Sequence, residues 1–150
     1  MIVSYLDSSA LLRLCLAEGE VGPVEKALAN VPVSSALALV EVPTAISARF
    51  HRGDIDPQAR DDLLLLGEHI LGRVNILQAT AEVLAEAVRV AAAHRVRALD
   101  AVHLGTAAVA ARQQARWGNQ LRFCTADRRQ ASVAAQLFGA GNVDFVEPLS

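Results

Sequence analysis

Five short apolar runs, each three to five residues long, are spaced along this chain and separated by longer segments. The runs are residues 2–6, 31–33, 74–77, 121–124 and 143–146. Runs this short predict buried strands, whereas the segments between them carry apolar residues at helical spacing. Strands that alternate with helices form a parallel sheet covered on both faces and joined by right-handed crossovers. The sequence therefore predicts a three-layer α/β/α fold with a parallel sheet of about five strands.

The segments between the runs predict helices at residues 8–17, 21–29, 34–52, 58–71, 80–91, 99–116 and 128–138. Ser34 and Ser35 are predicted to initiate the third helix, and Pro43 must kink that helix or displace its start. Residues 63–66 are four consecutive leucines. Because they make their helix apolar all round, we expect them to be well buried.

The composition is typical of one compact domain with a core of small aliphatic side chains. Hydrophobic residues make up 53% of the chain and aromatic residues only 4%, so Ala, Val and Leu must fill the core. No stretch approaches the roughly 18 uninterrupted apolar residues that a membrane-spanning helix needs. The N-terminus shows no basic segment before its apolar run and no cleavage-site pattern. We therefore expect residues 1–150 to form a single domain of a soluble, cytoplasmic protein without a membrane partner.

Four of the 16 acidic residues lie in apolar surroundings, whereas most of the others lie in evidently solvated segments. Asp7, Glu41, Asp100 and Asp127 each interrupt or terminate an apolar stretch. Burying a carboxylate is costly unless a charge or hydrogen bonds compensate it. These four acids are therefore the candidate catalytic residues.

Three of the four acids also have a structural interpretation at a helix start. Asp7 and Asp127 each close a strand and precede a helix, where an aspartate serves as an N-cap. Asp100 lies just inside a helix, where an acid in the first turn complements the macrodipole. Taken alone, Asp127 fits the cap interpretation better than a catalytic role, and Asp7 fits both equally.

Glu41 is harder to explain in structural terms. It lies in the apolar stretch 36–42, well past any predicted cap, and its neighbours should be buried. Its structural interpretation is a buried salt bridge, with Arg13 or Arg49 as the partner. Taken alone, this salt bridge is the favoured interpretation of Glu41.

The predicted fold brings the four acids to one edge of the sheet. Asp7 and Asp127 follow strands directly, while Asp100 and Glu41 begin or line helices that can start from the same edge. Converging carboxylates raise one another's pKa unless a cation neutralises them. Oxygen ligands of this kind suit Mg²⁺ or Mn²⁺, and such an ion can assist an in-line displacement at phosphorus.

Four pieces of the sequence resemble the motifs of a known family. They are Tyr5-Leu-Asp7-Ser-Ser9, Ser34-Ser-Ala-Leu-Ala-Leu-Val-Glu41, Leu99-Asp100-Ala-Val-His103-Leu and Cys124-Thr-Ala-Asp127. In this order and at these separations they resemble the PIN-domain family, and more narrowly the VapC-type toxins of bacterial toxin–antitoxin pairs. The similarity spans residues 1–146.

This resemblance implies a PIN-like fold and a metal-dependent endoribonuclease with RNA as its substrate and Mg²⁺, or alternatively Mn²⁺, as its cofactor. Asp7 and Asp100 would be direct metal ligands. Glu41 and Asp127 would hold metal-bound waters or a second ion. The full set of four acids is present, as expected of an active member.

The resemblance also implies roles for residues around the acids. Ser9 and Thr125 match hydroxyl positions of the family and would orient the acids. His103 is similar to a residue common in the family's helix, where packing or support of the acids is a better interpretation than metal binding. Arg128 and Arg129 are candidates for contacts with substrate phosphates, and a solvated helix face is an equal alternative.

Proteins similar to VapC are usually neutralised by a cognate antitoxin that lies over the active site, and they commonly form dimers. The resemblance therefore implies two protein partners for this chain, a cognate antitoxin and a second copy in a homodimer. An antitoxin arginine that reaches the acids would be consistent with recognition by charge pairing.

Three other functions share part of this pattern. A phosphoacceptor receiver domain needs a lysine at the end of a late strand, but the only lysine, Lys26, lies in an early helix. Phosphatases of the haloacid-dehalogenase type need a second aspartate two residues after the first, where this chain has Ser9. A non-catalytic RNA-binding or regulatory module with a structural metal site stays open as the alternative.

Overall fold

The computed structural model describes residues 1–149, and its centre is a parallel sheet of five strands. The strands are β1 (Ile2–Leu6), β2 (Val31–Ser35), β3 (Asn75–Leu77), β4 (Gln120–Thr125) and β5 (Val143–Phe145). Their order across the sheet is β3-β2-β1-β4-β5, and every neighbouring pair is parallel. Because β1 lies between β2 and β4, the residues that follow these three strands meet at the carboxyl edge of the sheet.

The helices cover both faces of the sheet. They are α1 (Ser8–Leu16), α2 (Gly22–Ala29), α3 (Ala38–His51), α4 (Pro57–Leu71), α5 (Ala81–Ala93), α6 (Ala98–Ala115) and α7 (Arg128–Phe138), with a 3₁₀ turn at Ala140–Asn142. Within residues 1–149, no helix is long and apolar enough to span a membrane.

Two hydrophobic cores lie on opposite faces of the sheet because successive strand residues point to opposite sides. Leu6 packs in the core that α1, α2, α3 and α4 cover. Its neighbour Tyr5 packs in the core that α5, α6 and α7 cover. The predicted three-layer α/β/α arrangement is thus confirmed.

Helix α6 packs closely against α5 because a glycine lies at the contact. A Cβ atom on Gly105 would lie 2.8 Å from the backbone nitrogen of Ala87 and 3.0 Å from the carbonyl oxygen of Val83. A larger residue at this position would push the two helices apart. This close approach helps to fix the position of α6, whose first turns carry Asp100 and His103.

The prediction that Ser34 and Ser35 initiate a helix is wrong. Both residues belong to β2, where they pair with Ile76 and Leu77 of β3. Pairing with the third strand extends β2 by two residues, and α3 therefore begins only at Ala38. Pro43 lies inside this helix.

The prediction that residues 63–66 are all well buried is also wrong. The side chains of Leu65 and Leu66 are 69% and 41% exposed, while Leu63 and Leu64 pack against the core. Successive helical residues point about 100° apart, so a helix that packs on one side leaves part of such a run in solvent.

Candidate active site

All four candidate acids lie at helix N-termini. Asp7 and Asp127 are the N-caps of α1 and α7 and accept hydrogen bonds from backbone N–H groups of the first turn. Glu41 and Asp100 lie in the first turns of α3 and α6. The positive ends of these helix dipoles favour negative charge, which lowers the cost of placing acids there.

Asp7 is held from several sides at the end of β1. Its backbone N–H donates to the carbonyl of Cys124, at 3.2 Å, which ties it to the end of β4. Its carboxylate accepts hydrogen bonds from the hydroxyls of Ser9, at 2.6 Å, and Thr125, at 2.5 Å, and from the N–H of Ala10, at 3.0 Å. The two hydroxyls are also 3.1 Å apart, so they form a small network around the carboxylate.

The Asp7 side chain is also strongly desolvated, with only 4% of the residue exposed. Burial raises the pKa of its carboxyl above the ordinary 3.8, although the charge of His103 and the hydrogen bonds from Ser9 and Thr125 oppose this shift. No Lys, Arg or His nitrogen of residues 1–149 forms a salt bridge with it. A cation would supply the missing compensation for its charge.

Glu41 is fixed by a hydrogen-bond chain that crosses the core. Its Oε1 atom accepts a hydrogen bond from Ser8, at 2.8 Å, and lies 2.6 Å from Nε2 of His103. The other ring nitrogen of His103, Nδ1, lies 2.7 Å from the hydroxyl of Tyr5, which is fully buried. His103 donates from Nε2 to the carboxylate and pairs through Nδ1 with the Tyr5 hydroxyl, so both ring nitrogens have a hydrogen-bond partner.

The hydrogen bonds from His103 and Ser8 also change the acidity of Glu41. Desolvation raises the pKa of its carboxyl, but the hydrogen bond and charge of His103, together with the hydrogen bond from Ser8, lower it more. The net pKa of Glu41 therefore lies below the ordinary 4.5. Asp7 and Glu41 are thus shifted in opposite directions, and Glu41 is ionised at neutral pH.

The predicted salt bridge from Glu41 to Arg13 or Arg49 is not present. Both arginines pair with Glu18 instead, at 3.5 and 2.6 Å. The prediction that Glu41 lies well past any helix cap is wrong too, because α3 begins at Ala38 and places Glu41 in its first turn. The buried partner of Glu41 is His103.

Asp100 and Asp127 are held less firmly. The Asp100 side chain pairs with Arg97, with 3.3 Å between Oδ2 and Nε, and that arginine side chain is 82% exposed. The Asp127 carboxylate caps α7 by accepting from the N–H groups of Arg129 and Gln130. The side chain of Gln130 also donates to the backbone carbonyl of Asp100, at 3.1 Å, and so joins the starts of α6 and α7.

The two arginines that the sequence suggests as phosphate contacts lie in different surroundings. Arg128 stacks over the ring of Phe145, 4.8 Å from its centroid, and lies 3.5 Å from Glu147. Arg129 lies beside Asp100 in a small cavity. Of the two, Arg129 is therefore better placed to contact a substrate.

Within the described part of the chain, no three His, Cys, Asp or Glu side chains form a preassembled metal-binding group. Each of the four carboxylates instead has its own hydrogen-bond partners at one edge of the sheet. The donor set itself, carboxylate oxygens with hydroxyl support, fits a hard divalent ion.

Sequence reasoning missed two members of this site, Tyr5 and Ser8. Tyr5 lies in a predicted buried strand and Ser8 at the start of a predicted helix, and neither pattern indicates a contact with the acids. One signal was available for the contact of His103. It follows Asp100 by three residues, so both lie on one face of α6 and face the same edge.

Comparison with known proteins agrees with the geometry. The PIN-domain family model matches residues 4–136. Among solved structures, PAE2754 from Pyrobaculum aerophilum is 20% identical, with a TM-score of 0.66 over 95% of this chain and 83% of that chain. No curated protein matches the chain in sequence.

Two toxin–antitoxin structures are also similar in fold. The DNA-bound VapBC from Salmonella typhimurium is 12% identical, with a TM-score of 0.65 over 97% of this chain and 98% of that chain. A toxin–antitoxin complex from Klebsiella pneumoniae is 19% identical, with a TM-score of 0.56 over 98% of both chains. At these identities the likeness establishes the fold alone.

Proposed function

The chain belongs to the PIN-domain family, whose members are generally nucleases that use divalent metal, and from this premise we propose that it is a divalent-metal-dependent endoribonuclease. The observation that carries the proposal is Asp7. A carboxylate that is 4% exposed, fixed by three hydrogen bonds and without a salt bridge in residues 1–149 is a costly arrangement that a cation would relieve. We further propose that residues 1–150 act as one domain, the toxin of a VapBC-type pair.

Each acid has a separate task in this proposal. Asp7 and Asp100 would hold Mg²⁺ or Mn²⁺, and when bound the ion would polarise the scissile phosphodiester and offset the charge of the acids. Ser9 and Thr125 keep the Asp7 carboxylate in one orientation through their hydrogen bonds. Asp127 would hold water or a second ion while it continues to cap α7.

Glu41 would act as the proton acceptor for the attacking water. Ser8 and His103 both occupy its Oε1 atom, and no hydrogen bond from residues 1–149 reaches Oε2. A pKa below the ordinary value makes Glu41 a weaker base but keeps it ionised at neutral pH, so that its carboxylate is available to the water. His103 would hold the carboxylate so that Oε2 faces the water.

We propose that the cognate antitoxin contacts the groove between α3 and α4. This groove has a volume of about 510 Å³ and is lined mostly by apolar side chains, among them Leu39 and Leu64. Leu39, which lines the groove, precedes Glu41 by two residues in the sequence. On α4, Leu65 lies next to Leu64 in the sequence and is exposed. An apolar surface beside an active site suits a protein partner. Leu39→Glu should weaken antitoxin binding because Leu39 lines the groove, whereas Leu84→Glu on α5, which is exposed to the same 48%, should not.

A homodimer is part of the same proposal, by resemblance to VapC proteins. Analytical ultracentrifugation of the chain without antitoxin measures its mass in solution directly. A species of twice the 15.9 kDa chain mass is the expected result. A monomer at all concentrations would contradict this part of the proposal.

The proposed activity is tested by incubating the purified protein with total RNA from its host. Parallel reactions contain Mg²⁺, Mn²⁺ or a chelator, and new 5′ ends are sequenced. Asp7→Asn and Asp100→Asn test the site, and Asp56→Asn is the matched control because Asp56 caps α4 away from it. We expect discrete metal-dependent cuts by the wild type and the control, and none by the other two variants.

The opposite result has a defined meaning. If folded, metal-loaded and antitoxin-free protein binds RNA but does not cut it, the chain is the non-catalytic RNA-binding or regulatory module. Cuts that persist in Asp7→Asn would instead show that the nuclease activity does not use this site.

A further inference from the structure

A cavity of about 290 Å³ lies where the starts of α6 and α7 meet. It is lined by Arg95, Val96, Arg97, Asp100, Arg129 and Gln130. The volume is far larger than the roughly 30 Å³ that one water molecule occupies in the liquid. We name it the arginine pocket after the three arginines in its wall.

The charges around the arginine pocket favour an anion. Three arginines and one acid, Asp100, line the pocket, and Arg97 pairs with that acid. In the part of the chain that the structure describes, the side chains of Arg95 and Arg129 have no acidic partner. Because guanidinium is planar and presents several donors, it suits phosphate oxygens better than a point charge does.

The arginine pocket is rigidly joined to the acidic site. The side chain of Gln130 is 2% exposed and donates to the backbone carbonyl of Asp100. Asp127 accepts from the N–H groups of Arg129 and Gln130 and fixes the start of α7. An anion in the pocket would therefore lie beside Asp100, one of the four candidate acids.

A nuclease with this acidic site needs such a positive surface. RNA carries a negative charge on every nucleotide, and four carboxylates would repel the phosphates next to the one that is cleaved. The chain as a whole has a net charge of −2 and offers no general attraction. Local positive charge beside the acids would offset this repulsion and set the register of the RNA strand.

We infer that Arg95, Arg97 and Arg129 bind a backbone phosphate of RNA next to the phosphodiester that is cleaved at the acidic site. This inference rests on the proposed function. An acidic segment of a protein partner is the competing occupant. The phosphate is favoured because the pocket shares Asp100 with the site where a phosphodiester would react.

The test uses the full chain with Asp7→Asn, so that the RNA stays intact, and a fluorescent synthetic RNA spanning a mapped cut. Binding is measured by anisotropy over a series of salt concentrations. Arg95→Gln with Arg129→Gln should weaken binding about tenfold and reduce the salt slope by about 0.7 for the lost phosphate contact. Arg116→Gln, an exposed arginine at the other end of α6, is the control and should change neither.

A second measurement locates the phosphate. Each phosphate of the RNA is replaced in turn by an uncharged methylphosphonate, and the affinity is measured for both proteins. Next to the cut, one replacement should cost the parent about tenfold in affinity and cost the double arginine variant nothing. Losses that add independently at every position would overturn the inference.

The outcomes separate this inference from the proposed function. If wild-type protein cuts the RNA but the methylphosphonate losses are additive, the arginine pocket is not a phosphate site and the nuclease stands. If wild-type protein does not cut any RNA, the proposed function is overturned. The inference that the pocket binds a phosphate next to a cleaved bond is then overturned as well. Weakened binding of antitoxin with unchanged binding of RNA would identify a protein-contact site and overturn the inference.

Discussion

Glu41 and Asp100 are exposed to nearly the same extent, with 27% and 30% of their side chains accessible, yet they are held very differently. The partner of Glu41 is His103, whose side chain is 3% exposed and is anchored in turn by Tyr5. The partner of Asp100 is Arg97, which is 82% exposed. Exposure alone therefore does not show how firmly an acid is positioned.

The same contrast divides the whole site. On one side, Asp7 and Glu41 are fixed by hydroxyls and a histidine that belong to the core. On the other, the Asp100 carboxylate pairs with an exposed arginine, and the Asp127 carboxylate accepts from backbone N–H groups of α7. We interpret the first side as the part of the site whose carboxylates are oriented by the core, and the second as the part whose carboxylates are oriented from the surface and from the helix start.

The largest expected effect is the loss of activity in Asp7→Asn. Asparagine keeps the size and the capping ability of aspartate but removes the charge that would hold the cation. We expect more than about a 100-fold loss of kcat, beyond the range typical for residues that merely support a metal ligand. Asp127→Asn should lose less, about tenfold, and an equal loss in both variants would contradict the division into two sides.

His103→Gln tests the buried partner of Glu41 against the exposed partner of Asp100. Glutamine still hydrogen-bonds but does not reproduce the link between Tyr5 and Glu41, so kcat should fall about 10- to 100-fold. Arg97→Gln should raise KM and leave kcat within about threefold, because Arg97 contacts the acid from the surface. Steady-state kinetics on the RNA substrate separates the two results, and circular dichroism checks that both variants fold.

Tyr5→Phe is a finer test of the hydrogen bonds that link Tyr5, His103 and Glu41. It removes only the hydroxyl that faces Nδ1 of His103 and keeps the ring, which stacks on Phe123. We expect kcat to fall a few-fold, and the ¹⁵N signals of the His103 ring to show a mixture of tautomers in place of a single one. A single unchanged tautomer in Tyr5→Phe would show that the hydroxyl does not fix the ring.

The opposite pKa shifts of Asp7 and Glu41 predict opposite effects of pH on stability without divalent cations. The pKa of Asp7 is raised by folding, so its contribution to the free energy of unfolding falls as pH rises above about 3.8. The pKa of Glu41 is lowered, so its contribution is present above about 4.5 and is lost as pH falls below that value.

Chemical denaturation at several acidic pH values measures both contributions. Relative to Asp7→Asn, the wild type should lose stability as pH rises, and relative to Glu41→Gln it should gain stability. Each variant removes one titrating group, so the difference between the two curves isolates that group. Parallel curves for the wild type and Asp7→Asn would show that burial does not perturb this carboxyl.

The sequence predicted the layers of the fold and the places of Asp7 and Asp127 at strand ends better than it predicted the side-chain contacts of the acids. Short apolar runs locate the strands because burial on both sheet faces leaves a local pattern, and Asp7 and Asp127 follow from the strand ends. The link from Tyr5 through His103 to Glu41 joins residues up to 98 positions apart. It depends on how α3 and α6 rotate against the sheet, which no local pattern records.

The errors have the same physical origin. Ser34 and Ser35 resemble helix caps locally, but pairing with β3 keeps them in a strand. Leu65 and Leu66 are apolar, but α4 packs on one side only and leaves them exposed. Tertiary packing decided each of these cases against local propensity.

Binding of Mn²⁺ to the protein without RNA shows whether Asp7 and Asp100 hold a metal ion, independently of any RNA cleavage. Titration calorimetry would compare the wild type with Asp7→Asn, Asp100→Asn and the Asp56→Asn control. We expect the wild type and the control to bind Mn²⁺ with the same affinity and both site variants to bind at least about tenfold more weakly. Equal affinity in all four proteins would show that Asp7 and Asp100 do not hold the metal, and the proposed metal site would be wrong.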